Sequence, residues 1–122
     1  VTLSWDDRIR NFANVFSDPN QEFRVSLFTA GGALIATVFS TNPADPLLQL
    51  GPNSRSFDVT GLLQPFAGQT VELRFEQQDN LFFFNVTLDN IQLTTVPEPG
   101  AVGLLGLGLL GLAALRRRRN LL

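Results

Sequence analysis

The sequence of 122 residues predicts an all-β fold for residues 1–95, an antiparallel β-sandwich of jelly-roll type, followed by one C-terminal transmembrane helix. Two observations predict the sandwich. Several windows alternate apolar and polar residues with the period of two that marks a half-buried strand, and turn-forming residues separate these windows. The helix is predicted because residues 101–115 contain no charged residue. We therefore divide the chain into a body, residues 1–95, and a tail, residues 96–120.

Six windows of the body carry the strand pattern. They are residues 1–9, 21–28, 33–40, 54–60, 70–76 and 84–93. In the second window, the residues predicted to face the core are Phe23, Val25 and Leu27, and those predicted to face water are Glu22, Arg24 and Ser26. In the last window the alternation changes phase at Asp89-Asn90, which predicts a β-bulge there.

Glycine and proline mark the connections between these windows. Ala30-Gly31-Gly32 predicts a hairpin turn, because glycine adopts positive φ at little cost. Residues 42–46 and 51–53 have the Asn, Pro, Asp and Gly content of loops. No window of the body longer than ten residues has a helical period. The body is therefore predicted to consist of short strands joined by turns.

We expect the N-terminus of this chain to be incomplete. Val1 already lies within a strand pattern, and neither an initiator Met nor a signal peptide precedes it. A complete jelly roll has about eight strands. The missing residues are expected to have carried an export signal and further strands.

The composition excludes several kinds of catalytic and metal site. Without His or Cys there is no Ser-His-Asp triad, no Cys nucleophile, no zinc site of the usual kinds and no haem ligation. Glu72 and Glu76 share a strand face roughly 13 Å apart, whereas a glycosidase pair needs about 5–9.5 Å. The sequence thus predicts a protein that is not an enzyme, and a small hydrolase is the least favoured hypothesis.

Charge is distributed unevenly along the chain. The body has ten acids and five Arg, a net charge of −5, whereas residues 96–122 have one acid and four Arg, a net charge of +3. A nucleic-acid partner would require a basic face to neutralise phosphates. The acidic body therefore argues against nucleic-acid binding.

Four segments of the body resemble galactose-binding-like β-sandwiches, a superfamily that includes many carbohydrate-binding modules. They are FRVSLF at 23–28, FDV at 57–59, GQTVELRFE at 68–76 and LDNI at 88–91. In some modules of this superfamily, the place corresponding to Asp89-Asn90 ligates a structural calcium ion. Calcium takes six to eight oxygen ligands, so one Asp and one Asn would need supplements such as Asp6, Asp7 or Asp79. A turn or hydrogen-bonding role for Asp89 is the favoured alternative, and no other cofactor is expected.

Two aromatic residues are candidates for contact with a sugar. Trp5 could form a stacking platform, although it shares a strand face with Leu3 and a core position is favoured. Phe83, in the run Phe82-Phe83-Phe84, points opposite to its neighbours on a strand. It is either an exposed binding aromatic or, as we favour, a residue packed in the second layer of a loop.

The tail has the features of a short membrane anchor. Residues 101–115 comprise seven Leu, four Gly, three Ala and one Val. As a helix they span roughly 22 Å, against about 30 Å for a bilayer core, and the stems of the arginines at 116–119 can close part of the gap. Those arginines predict a cytoplasmic C-terminus and a body on the outer side of the membrane.

The tail closely resembles the PEP-CTERM sorting signal. Three parts occur in order: VPEPG at 96–100, the apolar segment at 101–115, and RRRRN at 116–120. The resemblance implies a substrate of exosortase, a membrane peptidase of Gram-negative bacteria, with Pro97, Glu98 and Pro99 as the processing motif. The residues that retain the C-terminus in the cytoplasm would be Arg116, Arg117, Arg118 and Arg119.

The resemblance implies a route and leaves the task of the body open. The precursor would be a single-pass inner-membrane protein with its body in the periplasm, and the mature form would reach the cell surface or the extracellular space. A structural or adhesive envelope or matrix protein is the first hypothesis. The alternative is a carbohydrate-binding module that recognises exopolysaccharide.

Overall fold

In the computed structural model, which describes residues 1–95, six strands form two three-stranded antiparallel sheets. The strands are β1 (Thr2–Asn11), β2 (Gln21–Thr29), β3 (Leu34–Ser40), β4 (Asn53–Asp58), β5 (Val71–Asp79) and β6 (Phe84–Thr94). A four-residue helix, α1 (Thr60–Leu63), and a 3-10 turn at Gln64–Phe66 connect β4 to β5. The prediction of an antiparallel β-fold is confirmed, whereas the jelly-roll and galactose-binding-like assignments stay predictions.

The strand order is β4-β1-β6 in one sheet and β3-β2-β5 in the other, so β1 and β2 are the central strands. The hairpin predicted at residues 30–32 joins β2 to β3, and Gly32 has a φ of 89° there. The predicted bulge is also confirmed. The β1–β6 register shifts between Ser4 and Asp6, opposite Asp89-Asn90, and Asn90 has a φ of 52°.

The inward residues of both sheets form one core around Trp5. The Trp5 ring stacks on Phe57 of β4 at a centroid distance of 5.4 Å. It also meets Phe39 of β3 and Phe75 of β5 edge-on, at 6.0 and 5.6 Å. Because β3 and β5 belong to the opposite sheet, these contacts join the two layers. The fully buried apolar residues are Leu3, Trp5, Ile9, Phe16, Phe23, Val25, Leu27, Val59 and Phe84.

Two details of the sequence prediction are wrong. Residues 54–60 were expected to be one strand, but β4 ends at Asp58 because its carboxylate accepts hydrogen bonds from the backbone and hydroxyl of Thr60, where α1 begins. Glu22 and Ser26, predicted to face water, are 5% and 1% exposed. The Ser26 hydroxyl contacts that of Thr37 at 3.2 Å, so a neighbouring strand covers it.

Glu22 makes the stability of this fold depend on pH. Burial and the nearby Asp18 carboxylate raise the pKa of Glu22 above its ordinary value of 4.5, although Arg24 at 2.7 Å acts in the opposite direction. The folded state then binds this proton more tightly than the unfolded state does. The contribution of Glu22 to stability is therefore lost as pH rises above 4.5.

Replacing Glu22 by Gln is expected to remove this loss. The melting temperatures of Glu22→Gln and the wild type should be similar near pH 4, and the variant should gain relative stability as pH rises through and above 4.5. Thermal melts across this range measure the difference. Glu72→Gln is the control, because its hydrogen bond from Arg74 lowers the pKa of Glu72 and predicts the opposite trend. A pH-independent difference for Glu22→Gln would contradict the assignment.

Candidate functional site

The residues predicted to carry the sorting function lie outside the described residues. These are the motif Pro97, Glu98 and Pro99, the predicted transmembrane helix at 101–115 and the arginines at 116–119. Within residues 1–95, no helix combines the length and the apolar character needed to cross a bilayer. The structure therefore bears on the body and on the point at which the tail leaves it, just beyond the end of β6 at Thr94.

Trp5 lies in the core, the position that the sequence favoured for it. It is 1% exposed. Aromatic rings of β3, β4 and β5 surround its indole, and its Nε1 donates to Asp7 at 2.9 Å. No face of the indole is open for a sugar to stack on.

Phe83, in contrast, lies at an exposed aromatic surface where the β5–β6 connection meets the segment after β1. Phe83 is 72% exposed, and its ring meets that of Phe82 edge-on at 5.0 Å. Phe82, Leu81 and Phe12 are 56%, 51% and 43% exposed. We call these four residues the aromatic tip. The interpretation of Phe83 as a packed residue is not supported, since most of its ring faces solvent.

Two buried amides hold the aromatic tip in place. Gln21 is 0% exposed, and its side-chain oxygen accepts from the Leu81 N–H at 3.1 Å. Its side-chain nitrogen donates to the Phe82 carbonyl at 3.1 Å and to the side-chain carbonyl of Asn11 at 2.9 Å. Asn11, 1% exposed, donates to the Val15 carbonyl at 3.0 Å. The Phe12 N–H completes the set by donating to the Phe83 carbonyl at 2.9 Å.

This arrangement fixes the backbone of both segments that present the exposed rings. Buried polar groups with satisfied partners specify one conformation at the cost of desolvation. The buried, tip-holding role of Asn11 and Gln21 was not predicted from the sequence. A signal was present, because Asn11 continues the inward phase of β1 and Gln21 shares that of Phe23 and Val25.

A polar groove adjoins the aromatic tip. Arg8 and Arg10 lie on the outer face of β1, opposite Thr87 and Asn85 of β6 in the strand register. The groove has a volume of about 870 Å³, and Gln77 and Asp79 of β5 also line it. We call it the arginine groove. Among residues 1–95, the arginines that form ion pairs are Arg24, Arg55 and Arg74, and neither groove arginine is among them.

A second cleft, of about 550 Å³, lies between the loop of residues 41–52 and the strands β3 and β4. Its arginine, Arg55, is held by the buried Asp7, with Nε and Nη2 donating to the carboxylate at 2.9 and 3.2 Å. Asn53 also donates to Asp7 at 3.1 Å, and the Arg55 guanidinium lies 4.5 Å from the centre of the Phe39 ring. The charge of Arg55 is therefore already balanced by Asp7.

Asp89 lies at the bulge in β6, where its carboxylate and that of Asp6 already accept hydrogen bonds from the protein. The Asp89 carboxylate accepts from the Asn90 N–H at 2.8 Å, while Asp6 opposite it accepts from Asn90 at 2.8 Å and from Ser54 at 3.0 Å. The other proposed supplements lie elsewhere, Asp7 in the core and Asp79 in the arginine groove. In the part of the chain that the structure describes, no three acidic side chains converge as a metal site, and calcium takes six to eight oxygens.

The two strand carboxylates considered for glycosidase chemistry are held by different arginines. Glu72 accepts from Arg74 Nε at 2.9 Å, and this bond lowers the pKa of Glu72. Glu76 contacts Arg24 at 3.4 Å. A general acid requires a raised pKa, so Glu72 is not suited to that role.

Comparison with known proteins identifies the tail. The family model of the PEP-CTERM protein-sorting motif matches residues 95–119. No curated protein matches the chain, and no solved structure matches it. The match covers all three parts recognised in the sequence, namely the Pro-Glu-Pro motif, the apolar segment and the arginine run. The chain thus carries a C-terminal PEP-CTERM sorting motif joined directly to a body of two antiparallel β-sheets.

Proposed function

We propose that this chain is the precursor of an exported cell-envelope or extracellular-matrix protein, which its tail holds in the inner membrane until exosortase cleaves it. The observation that carries the proposal is the match of residues 95–119 to the PEP-CTERM sorting motif. The body is released to the cell surface or the extracellular space and acts there as a structural or adhesive domain.

The chemistry of the tail supports this route. The arginines at 116–119 oppose translocation, since moving charged side chains through a bilayer is costly. The apolar segment at 101–115 is short for a bilayer, which holds the chain at a defined depth. Pro97 and Pro99 disfavour helix in the residues before them, a preference that suits binding of this motif in the groove of a peptidase.

The geometry of the body orients it relative to the membrane in this proposal. The chain from Thr95 to the start of the apolar segment at residue 101 can extend at most about 20 Å. The Thr94 end of β6 therefore lies near the bilayer. The aromatic tip lies at the Phe84 end, and a strand of this length separates the two ends by roughly 33 Å. In this proposal the aromatic tip therefore lies at the end of β6 opposite the one that leads to the tail.

Mass spectrometry of the mature C-terminus tests the sorting proposal. In cells that contain exosortase, the mature protein should end near the Pro-Glu-Pro motif and lack the arginines at 116–119. Replacing Pro97, Glu98 and Pro99 together by Ala should leave the full-length chain in the membrane fraction.

The matched control changes two prolines and one acidic residue in a loop of the body. Residues 43–46 read Pro-Ala-Asp-Pro. The triple variant Pro43→Ala, Asp45→Ala and Pro46→Ala should be processed like the wild type. A full-length chain that keeps its arginines on the outer surface of wild-type cells would count against processing.

A second candidate function is carbohydrate binding to exopolysaccharide. The aromatic tip favours it, because exposed rings held in one conformation by Asn11 and Gln21 can stack on sugar faces without ordering on binding. The polar side chains of the arginine groove adjoin these rings and could hydrogen-bond hydroxyl groups. Affinity electrophoresis through polysaccharide gels tests this function, since a purely structural body migrates unchanged.

A further inference from the structure

We propose that the arginine groove and the aromatic tip together form a binding site for a polysaccharide that bears carboxylate groups. Arg8 and Arg10 would hold the carboxylates, and the exposed rings would pack against the sugar faces. The inference rests on the proposed carbohydrate-binding function and adds to it the chemical class of the ligand.

Neither Arg8 nor Arg10 forms an ion pair within residues 1–95. Arg8 and Arg10 are two residues apart on one strand, so they project from the same face about 7 Å from each other. The other arginines of residues 1–95 all bind carboxylates of this chain, although the body has ten acids for five Arg. Two adjacent arginines without an ion-pair partner in such an acidic body mark a place where an external anion can bind.

Polar side chains of β5 and β6 face the two arginines of the groove. From β6, Thr87 and Asn85 lie directly opposite them, and from β5, Gln77 and Asp79 line the groove. The neutral groups can bond to sugar hydroxyls as donors and acceptors. Asp79 is the one acid among the lining residues. With two arginines against one carboxylate, the groove has a net positive charge.

The arginine groove adjoins the aromatic tip. The Arg10 guanidinium lies 5.9 Å from the centre of the Phe12 ring. Phe83 immediately precedes the first residue of β6, and Asn85 follows two positions later. Charged groups and exposed rings therefore lie next to each other, which suits a polymer whose units have both carboxylates and apolar faces. Planar guanidinium groups match a carboxylate in geometry as well as charge.

The site has an acidic boundary on the side towards the tail. Asp6, the next outward residue of β1 before Arg8, lies opposite Asp89 of β6. These carboxylates would repel an anionic polymer, so the bound chain is directed across the groove and towards the aromatic tip. Exposed rings beside arginines could also suit a lipid surface, but the tip lies roughly 33 Å along β6 from the end that leads to the membrane segment.

The test compares polygalacturonate with the same polymer after its carboxyl groups have been reduced to alcohols. The full chain in mild detergent should be retarded more strongly in gels that contain polygalacturonate, and the retardation should decrease as salt is added. The double variant Arg8→Gln and Arg10→Gln should bind polygalacturonate about tenfold more weakly, because it removes two exposed ion pairs, each of which contributes only modestly to binding. Asp79→Asn should bind more strongly than the wild type.

Two further variants make the outcomes distinct. Arg74→Gln removes a partly exposed charge on the other sheet and should leave binding unchanged. Phe83→Ala should weaken binding to both polymers. If the wild type binds both polymers equally and the double variant binds them as the wild type does, the carboxylate inference is overturned. Carbohydrate binding would then remain in place. Retardation by neither polymer would overturn both.

The same variants separate a polymer from a lipid surface. Vesicles of anionic phospholipid are the probe, with flotation of the full chain as the measurement. The inference would be overturned in favour of a lipid surface if the double variant still bound polygalacturonate but bound the vesicles more weakly than the wild type. The fluorescence of Trp5 confirms that each variant is folded, since Trp5 is the only Trp of the chain and is buried.

Discussion

Replacing Asp7 by alanine is expected to lower the free energy of unfolding by about 3–5 kcal/mol. Asp7 is 1% exposed, and its carboxylate accepts hydrogen bonds from Trp5 Nε1 at 2.9 Å and Asn53 at 3.1 Å, besides the bidentate contact from Arg55. Its removal takes an acceptor from three side chains, leaving the buried Trp5 Nε1 without its partner and the charge of Arg55 uncompensated. A domain is stable by only about 5–15 kcal/mol, so the variant should lose a large part of its stability.

The neighbouring Asp6 is the control for this prediction. It is also an acid of β1 with two hydrogen-bond donors, Ser54 and Asn90, but its bonds lie at the surface. Asp6→Ala should cost no more than about 1 kcal/mol. Denaturant titration of the full chain in detergent micelles, followed by the fluorescence of Trp5, measures both. An equal cost for the two variants would show that the buried pair does not stabilise the fold.

The second large effect is expected at Trp5. Trp5→Ala removes the ring that contacts Phe57, Phe39 and Phe75 and should destabilise the chain by about 3–5 kcal/mol. Trp5→Phe retains much of the packing but removes the donor to Asp7, and it should cost roughly 1–3 kcal/mol. Far-UV circular dichroism replaces fluorescence as the probe, because both variants lack the only Trp.

The ratio of the two costs identifies what Trp5 contributes. If packing between the sheets dominates, alanine costs clearly more than phenylalanine. If the hydrogen bond to Asp7 dominates, the two variants are equally destabilised, and the central role assigned to the ring contacts is wrong. The control for a general effect of losing an aromatic is Phe83→Ala, which should change stability little because Phe83 is 72% exposed.

Sequence reasoning predicted those features of the fold that depend on residues close together in the chain. Phe23, Val25 and Leu27 face the core because side-chain direction alternates along any strand. The bulge at Asp89-Asn90 is a local change of phase. The sorting motif was recognisable for the same reason, since its three parts are contiguous in the sequence.

Features that depend on which strands lie side by side were not predicted. Ser26 is buried because β3 places Thr37 beside it, and the order β3-β2-β5 cannot be obtained from the alternation of residues. The aromatic tip and the arginine groove likewise depend on contacts between residues that are distant in the sequence. Phe83 was a candidate, but its tip is held by Gln21 across 61 positions of the sequence. Arg8 and Arg10 form a groove only because β1 pairs with β6.

The two ends of β6 have a mechanical consequence for an adhesive protein. The tail leaves one end of this strand, and Phe83 precedes the other. In the uncleaved precursor, a force between the tail and a polymer bound at the aromatic tip would act along β6, whose extended backbone is already within about a tenth of its full length. Because β1 carries Arg8 and Arg10 and pairs with β6, the hydrogen bonds between these two strands would share the load. The positive φ of Asn90 marks a place where β6 departs from extended geometry and can still lengthen.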